Sequence, residues 1–310
     1  QQAGIVGLGG AGFPTHVKLT PKEPNKIEYI IANCAECEPY VTADYRRMIE
    51  NPEELVSGMK VILKLFDNAT GIFGIKDNNP ECIEILNNLI EDEPRMKVVV
   101  LSTKYPQGSE KQLIYTITKR AISSDKIPAD VGCLVNNVET IIAIHNAVIN
   151  GKPLMERIIT VSGNGVNEPG NFNVLIGTNH NELIEAAWGL KENVKKIISG
   201  GPMMGFAMFT TDVPTTKTSS ALLAFLNDKV AKVSPSACIN CGRCVSACPS
   251  RTIPSRLANF AEMKDYTRFE SYSGLECIEC GNCSFVCPAK RHLKQSISST
   301  KKTIIASRKK

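Results

Sequence analysis

Eight of the chain's twelve cysteines fall between residues 238 and 287, and they form two copies of one motif. Cys238-Ile239-Asn240-Cys241-Gly242-Arg243-Cys244-Val245-Ser246-Ala247-Cys248-Pro249 reads C-x2-C-x2-C-x3-C-P, and Cys277 to Pro288 repeats it. Three thiolates on so tight a loop can take three corners of a four-iron cubane, while the following turn carries the fourth cysteine away. Where two such motifs share a chain, the fourth cysteines are exchanged. The spacing therefore predicts one [4Fe–4S] cluster on Cys238, Cys241, Cys244 and Cys287, and a second on Cys277, Cys280, Cys283 and Cys248. Gly242 and Gly281 relieve crowding where backbone passes the inorganic sulfide. Zinc is the alternative, but structural zinc sites use paired C-x2-C hooks rather than four cysteines ending in proline. Disulfides belong to oxidising compartments. Thiolates at this density call for a reducing one, so the expected location is cytoplasmic.

The 310 residues allow two or three domains. Residues 1–150 alternate between strand and helix signals. Ile27–Ala32, Thr70–Ile75 and Lys97–Ser102 read as strands. Asn51-Pro52-Glu53-Glu54 reads as a helix start, and Leu55, Met59, Ile62, Leu63 and Phe66 follow on one helical face. Pro80–Ile90, Glu110–Arg120 and Val138–Ile149 read as further helices. This alternation predicts a largely parallel sheet covered by helices, an α/β fold. Residues 156–226 carry several short strands and one helix, Asn181–Leu190, as in a small α+β module. Asn227–Ser236 is a polar linker, and residues 237–290 are built around the cysteines, with a helical stretch at Ser255–Lys264 between the motifs.

Charge narrows the function classes. The net charge is +5, yet seven basic residues and no acid fall in residues 291–310, so the remainder is net −2. With aromatics at 6%, the body lacks the basic face interleaved with rings that nucleic-acid binding requires. The basic tail reads as a solvated end, or as a docking tail for an acidic partner or an anionic membrane surface. No apolar run approaches the roughly 20 residues of a membrane span, and no secretory signal is visible. The chain opens on Gln and enters a glycine-rich motif at once, as a trimmed fragment does.

Gly7-Leu8-Gly9-Gly10-Ala11-Gly12-Phe13-Pro14 can cradle phosphate through backbone N–H groups, with Lys18 close behind to offset charge. A plain structural loop is the other reading. Asn33-Cys34-Ala35-Glu36-Cys37-Glu38-Pro39-Tyr40 stands at the end of an expected parallel strand, where α/β folds place ligands. Its two acids and Asn suit ribose hydroxyls or a flavin edge, or else a solvated turn. Cys34, Cys37, Cys82 and Cys133 read as core thiols, and the four histidines have no ligand-like spacing.

Taken in order, these segments resemble a known family. The glycine loop and Asn33–Tyr40 are followed by Lys104-Tyr105-Pro106-Gln107-Gly108-Ser109-Glu110, Asn136-Asn137-Val138-Glu139-Thr140, Gly200-Gly201-Pro202-Met203-Met204-Gly205 and the doubled cysteine motif. The chain resembles the RnfC family, the NADH-side subunit of ferredoxin:NAD oxidoreductase complexes. It is also similar to the NADH- and FMN-binding subunit of complex I, and to RnfC-like proteins that feed proline reductase. The resemblance implies a Rossmann-like flavin domain (1–150), a β-grasp module of the SLBB type (156–226), a helical two-cluster ferredoxin domain (237–290) and a basic tail (291–310). It implies FMN against Gly7, Gly9, Lys18, Asn33, Asn136, Asn137 and Thr140, with Tyr105 and Gly108 nearby. NADH is then expected to stack on Phe13 above Gly10, with Glu38 and Glu110 holding it. One departure is that Leu19-Thr20-Pro21 follow Lys18, where complex I has a second aromatic.

The implied activity is that of an oxidoreductase, moving electrons between NAD(H), FMN and two [4Fe–4S] clusters to or from a partner redox protein. The partner is expected to be a ferredoxin-like Rnf subunit, with proline reductase as the alternative. Peripheral association with the cytoplasmic face of the membrane is implied through such a complex. A rival from another class is a flavin-free wiring subunit, which keeps the cysteines but binds no FMN.

Overall fold

Short β-branched and apolar runs, each followed by a helix, build a four-stranded parallel sheet in the order β3-β2-β1-β4. Its strands are β1 (Tyr29–Cys34), β2 (Thr70–Lys76), β3 (Met96–Leu101) and β4 (Cys133–Asn137). The computed structural model describes residues 1–308. Helices α1 (Thr15–Lys18), α2 (Ala43–Glu50), α3 (Pro52–Leu63), α4 (Pro80–Leu89), α5 (Glu110–Thr118) and α6 (Val138–Ile149) connect and cover the strands. On one face Met48, Leu55, Met59, Ile62, Leu86 and Ile141 pack against Ile30, Ala32, Phe73 and Ile75. On the other, Leu113 and Ile114 of α5 pack against Ile31, Ile72 and Val135. Both faces are buried, which is why the strands read as continuous apolar runs rather than alternating ones. The α3–α6 contact is close enough to require Gly58, where a Cβ would lie 2.3 Å from the carbonyl oxygen of Ile141.

Two departures from the expected elements concern this sheet. β1 begins at Tyr29 rather than Ile27, because the turn Pro24–Lys26 still holds the chain there. β4 is not evident in the sequence, because only Cys133, Leu134 and Val135 are apolar before Asn136-Asn137. The order 3-2-1-4 reverses between β1 and β4, which makes their carboxyl ends the topological switch point of a Rossmann-like sheet.

The second sheet has the order β6-β5-β9-β7-β8, with β5 (Glu156–Ser162), β6 (Gly170–Leu175), β7 (Lys196–Ser199), β8 (Phe206–Ala207) and β9 (Ala221–Phe225). Its first and last strands in chain order pair in parallel, and the other pairs are antiparallel. Helix α7 (His180–Ala186) covers it, burying Leu183 against Ile159 and Val161 in the β-grasp manner. The apolar run Met203–Phe209 yields only the two residues of β8, because Gly205 N–H closes a turn onto the Gly201 carbonyl at 2.8 Å. Both sheets belong to one compact unit, Gln1–Leu226.

The second unit, Asn227–Lys310, is helical. It comprises α8 (Arg243–Ser246), α9 (Pro254–Glu262), α10 (Tyr266–Ser271), α11 (Asn282–Phe285) and α12 (Leu293–Ser307). Leu257, Ala258, Phe269, Leu293, Ile297 and Ile304 form its core. The basic stretch is therefore no solvated end over its described residues. Leu293, Ile297 and Ile304 recur at helical spacing and bury one face of α12, while Arg291 pairs with Glu262 at 2.8 Å and Arg308 pairs with Glu270. Lys309 and Lys310 lie outside the described residues.

Candidate functional site

The switch-point crevice is lined by the strand ends that carry asparagine. Register sets Asn33 beside Asn137 and Ala32 beside Asn136. The glycine loop closes on itself through a Val6–Pro14 bridge and a Gly7 N–H bond to the Phe13 carbonyl at 2.8 Å, with no strand before it. It is not the strand-to-helix glycine turn of a dinucleotide fold. Its tip is anchored instead by Leu8, whose N–H donates to Thr140 Oγ1 at 2.9 Å. Gly9 stands over Asn137, where an added Cβ would meet Asn137 Cβ at 3.4 Å, and Gly10 faces open space.

The crevice contains donors without partners. Asn136 is 3% exposed and its Nδ2 has no hydrogen-bond partner, and neither does either amide atom of the buried Gln107. Such orphaned groups cost roughly 1–3 kcal/mol each. A polar ligand with carbonyl and imide groups relieves that cost, and the crevice fits FMN in this respect. Asn33 differs from expectation in its use: its Nδ2 donates to the Gly108 carbonyl at 2.8 Å, ordering the loop after β3. Gly108 is required there, because a Cβ would lie 2.5 Å from the Ala35 carbonyl oxygen.

Lys18 Nζ donates to the Val135 carbonyl at 2.7 Å and lies 3.4 Å from Glu110 Oε1, so the lysine and one expected NADH acid meet at the rim. Phe13 is half-exposed beside them in sequence, and Tyr105 lies in the β3–α5 loop. Glu38 is placed elsewhere. Its carboxylate accepts from the backbone N–H of Met203 at 3.0 Å and Met204 at 2.8 Å, capping the Gly200–Gly205 turn of the second sheet.

Beneath the crevice lies a buried charged network that sequence reasoning missed. Asn137 Nδ2 donates to Asp44 Oδ2 at 2.6 Å, while Asn137 Oδ1 caps α6 by accepting from Glu139 N–H at 3.0 Å. Glu36 caps α2 by accepting from the N–H groups of Asp44 and Tyr45 at 3.1 and 3.3 Å. Glu139 lies 2.6 Å from Arg47 Nε, an ion pair whose angle falls short of a hydrogen bond. Burial pushes Asp44 well above the usual carboxylate range, and the charges of Glu36 and Glu139 push the same way. Arg157, 4% exposed, donates to the carbonyls of Leu8 at 3.0 Å and of Lys217. Period-2 alternation along Arg157, Ile159 and Val161 was the available signal for this last residue, since it assigns Arg157 to the buried face of β5.

In the helical unit the cysteines sort around two cavities. Cys238, Cys241, Cys244 and Cys287 line one of about 190 Å³, and Cys248, Cys277, Cys280 and Cys283 line the other. These are the crossed sets that the spacing predicts. The second set shares one electrostatic environment: burial, followed by neighbouring Cys277 and Cys280, pushes the Cys283 thiol up to about 12, with Cys248 contributing in the same direction. Four thiols crowded this way ionise when positive iron arrives, which fits cluster ligation. Gly242 and Gly281 take φ of 75° and 83° at the starts of α8 and α11, turning the third cysteine of each motif inward. Among the described residues no three His, Cys, Asp or Glu side chains converge on a single-ion position. Among them, too, no helix is long and apolar enough to cross a membrane.

Comparison with known proteins agrees with this geometry. Family models match for the Nuo51 FMN-binding domain over residues 1–146, the SLBB domain over 158–207 and the 4Fe-4S dicluster domain over 237–291. The chain is 49% identical over 298 residues to the RnfC-type subunit of the proton-translocating ferredoxin:NAD+ oxidoreductase complex of Clostridium ljungdahlii, covering 96% of this chain and 65% of that one. It is 44% identical over 308 residues to the counterpart from the Na+-translocating complex of Acetobacterium woodii, covering 99% and 70%. For the counterpart from the ion-translocating oxidoreductase complex of Pseudomonas aeruginosa the identity is 40%, over 84% of this chain and 34% of that one. The chain thus spans about two thirds or less of the length of these relatives. A solved NAD+-reducing [NiFe]-hydrogenase chain shares the fold, with TM-score 0.69 at 20% identity over 96% of this chain and 61% of that one. The identity to these relatives and the three ordered domain matches agree, and the chain belongs to the RnfC family of ferredoxin:NAD+ oxidoreductase complexes.

Proposed function

We propose that this chain is the arm of a ferredoxin:NAD oxidoreductase complex that exchanges electrons with NADH at a flavin and relays them through two clusters to a partner redox subunit. The observation that carries the reading is the sorting of eight cysteines into crossed sets, in a chain that also holds an orphaned Asn136 amide at a switch-point crevice. That orphan disfavours a flavin-free wiring role. When bound, the flavin supplies the conversion between two-electron hydride chemistry and one-electron steps. The chain's own residues supply orientation. Asn136 and Gln107 offer hydrogen bonds in the crevice, the glycine loop leaves room for the nucleotide to approach, and Phe13 presents a ring face. Glu110 accepts from ribose hydroxyls, and Lys18 holds Glu110 in place. Glu38 is the second acid for NADH, released from the Gly200–Gly205 turn when the nucleotide enters.

The partner is another redox subunit of the complex, and a proline reductase is the alternative acceptor. Association with the cytoplasmic face of a membrane runs through those subunits. Co-purification from cells separates these partners. The activity is tested by stopped-flow bleaching of the flavin in anaerobically reconstituted chain. NADH is expected to bleach it, and NADPH to do so slowly, because a 2′-phosphate faces carboxylates. Glu110→Ala is expected to lower NADH affinity about ten- to a hundredfold, the loss of one charged hydrogen bond of roughly 1.5–3 kcal/mol, with FMN retained. Equal rates with both nucleotides remove the acids from the ribose site.

A further inference from the structure

The two cysteine motifs match in backbone but not in surroundings. Between their first and second cysteines stand Asn240 in one copy and Glu279 in the other, both left-handed at φ 53° and 59°. The loops therefore superimpose in kind, and the side chains distinguish them. Asn240 is exposed and accepts only a local contact from Cys238 Sγ at 3.6 Å. Glu279 is engaged by helix α12. Ser298 Oγ donates to Glu279 Oε2, and Lys301 Nζ lies 4.0 Å from Glu279 Oε1. Lys301 Nζ also donates to the carbonyl of Cys277 at 2.6 Å. Both charged side chains are largely withdrawn from water, at 20% and 26% exposure, so solvent screens them weakly. The first cavity has a cation too, Arg291, but that guanidinium is turned to Glu262 and Asn259 at 2.8 and 2.9 Å.

We propose that Lys301 and Glu279 are opposed charges that set the reduction potential of the cluster held by Cys277, Cys280, Cys283 and Cys248, and that α12 thereby makes the two clusters unequal. The proposal rests on the reading of both cysteine sets as [4Fe–4S] ligands. The step concerned is the arrival of one electron from the reduced flavin or from a reduced partner. The cluster gains one negative charge, and no bond to the chain forms or breaks. A cation at the cavity wall favours the reduced form and an anion disfavours it, which is how charge and hydrogen bonding around a cluster tune potential. Lys301 is the nearer member, bonded to the ligand residue itself. Burial pushes the Cys277 thiol up, and the field of Lys301 already draws it back. Removing Lys301 also leaves Glu279 uncompensated beside the cluster, so the two effects add. Lys301 is thus a positioning and tuning residue contributed by the stretch that composition marks only as basic.

The test is an EPR-monitored redox titration of the full chain, anaerobically reconstituted, as wild type, Lys301→Met, Lys301→Arg and Glu279→Gln. Cys248→Ser identifies which signal belongs to the second cluster. Lys301→Met is expected to lower that cluster's midpoint by about 59 mV, a tenfold change in a one-electron equilibrium. Glu279→Gln is expected to raise it, and Lys301→Arg to leave it near the wild-type value. The cluster on Cys238, Cys241, Cys244 and Cys287 should not move. Should Lys301→Met fail to assemble, the remaining pair decides, since Glu279→Gln must still raise one midpoint alone. Unmoved midpoints, or equal shifts of both clusters, overturn the proposal while leaving the two-cluster reading intact. Wild-type chain lacking two four-iron clusters overturns that reading, and the proposal with it.

Discussion

The guanidinium of Arg157, on the second sheet, donates to the carbonyl of Leu8 at 3.0 Å, and Leu8 N–H is held by Thr140 at 2.9 Å. One buried cation of the SLBB module thus fixes the tip of the flavin domain's glycine loop. Arg157→Met should weaken FMN binding about ten- to a hundredfold, the equivalent of roughly 1.5–3 kcal/mol for a charged hydrogen bond. Arg157→Lys should not restore it, because one ammonium cannot span the carbonyls of Leu8 and Lys217 as the guanidinium fork does. Flavin fluorescence titration measures both, and unchanged affinity in the methionine variant refutes the link.

Cys248 lies after the first motif's tight loop but faces the second cavity. Cys248→Ser should therefore damage the cluster on Cys277, Cys280 and Cys283, leaving about four of about eight irons. Iron analysis with EPR of the remaining signal decides the matter. Loss of the cluster nearest in sequence would exclude the crossed arrangement.

The Gly200–Gly205 turn admits Glu38 only because residue 201 is glycine, where a Cβ would lie 2.2 Å from Glu38 Oε2. Gly201→Ala should expel the carboxylate from the Met203 and Met204 N–H groups. The cost is about 1.5–3 kcal/mol on the charged-bond scale. Thermal unfolding should show it as a lowered melting temperature, and a wild-type melt would show that the turn accommodates the methyl group by moving.

Asp44 is held with its carboxyl well above the usual range, burial being the largest cause. A raised folded value means that the folded state keeps the proton that the unfolded chain releases near pH 4. The resulting stability is fully present below about pH 4 and is lost as pH rises through the folded value. Asp44→Asn keeps an acceptor for Asn137 and removes the titration. Its melting temperature relative to wild type should rise between about pH 4.5 and about pH 8, and a constant difference would place the proton elsewhere.

The cysteine spacing was legible because cluster ligation is written in fixed intervals, and both crossed sets are found around their cavities. The parallel sheet was legible for β1, β2 and β3, whose apolar runs are long enough to register. β4 was not, since its last two residues are the asparagines that serve the site and not the core. Asp44, Glu36 and Arg157 were hidden for a different reason. Each is polar and sits in an ordinary element or turn, and only tertiary packing brings an α2 carboxylate under Asn137 and a β5 guanidinium under Leu8. Helix α12 was hidden by its charge. Its apolar core positions are only Leu293, Ile297 and Ile304, and seven cations masked that sparse stripe.

The placement of α12 also bears on how the protein is made. Each cavity borrows a cysteine from the other motif, and the second is walled in part by Lys294 and Ile297. Neither cavity can close until synthesis has passed Cys287, and the helical core waits for Ile304 as well. Chains fold from the amino end during synthesis, domain by domain. The flavin unit can therefore mature while the chain is still growing, whereas both clusters must be delivered to a polypeptide already extended past its last cysteine. Insertion of iron and sulfide is thereby set late in the life of the nascent chain, after the flavin domain has folded.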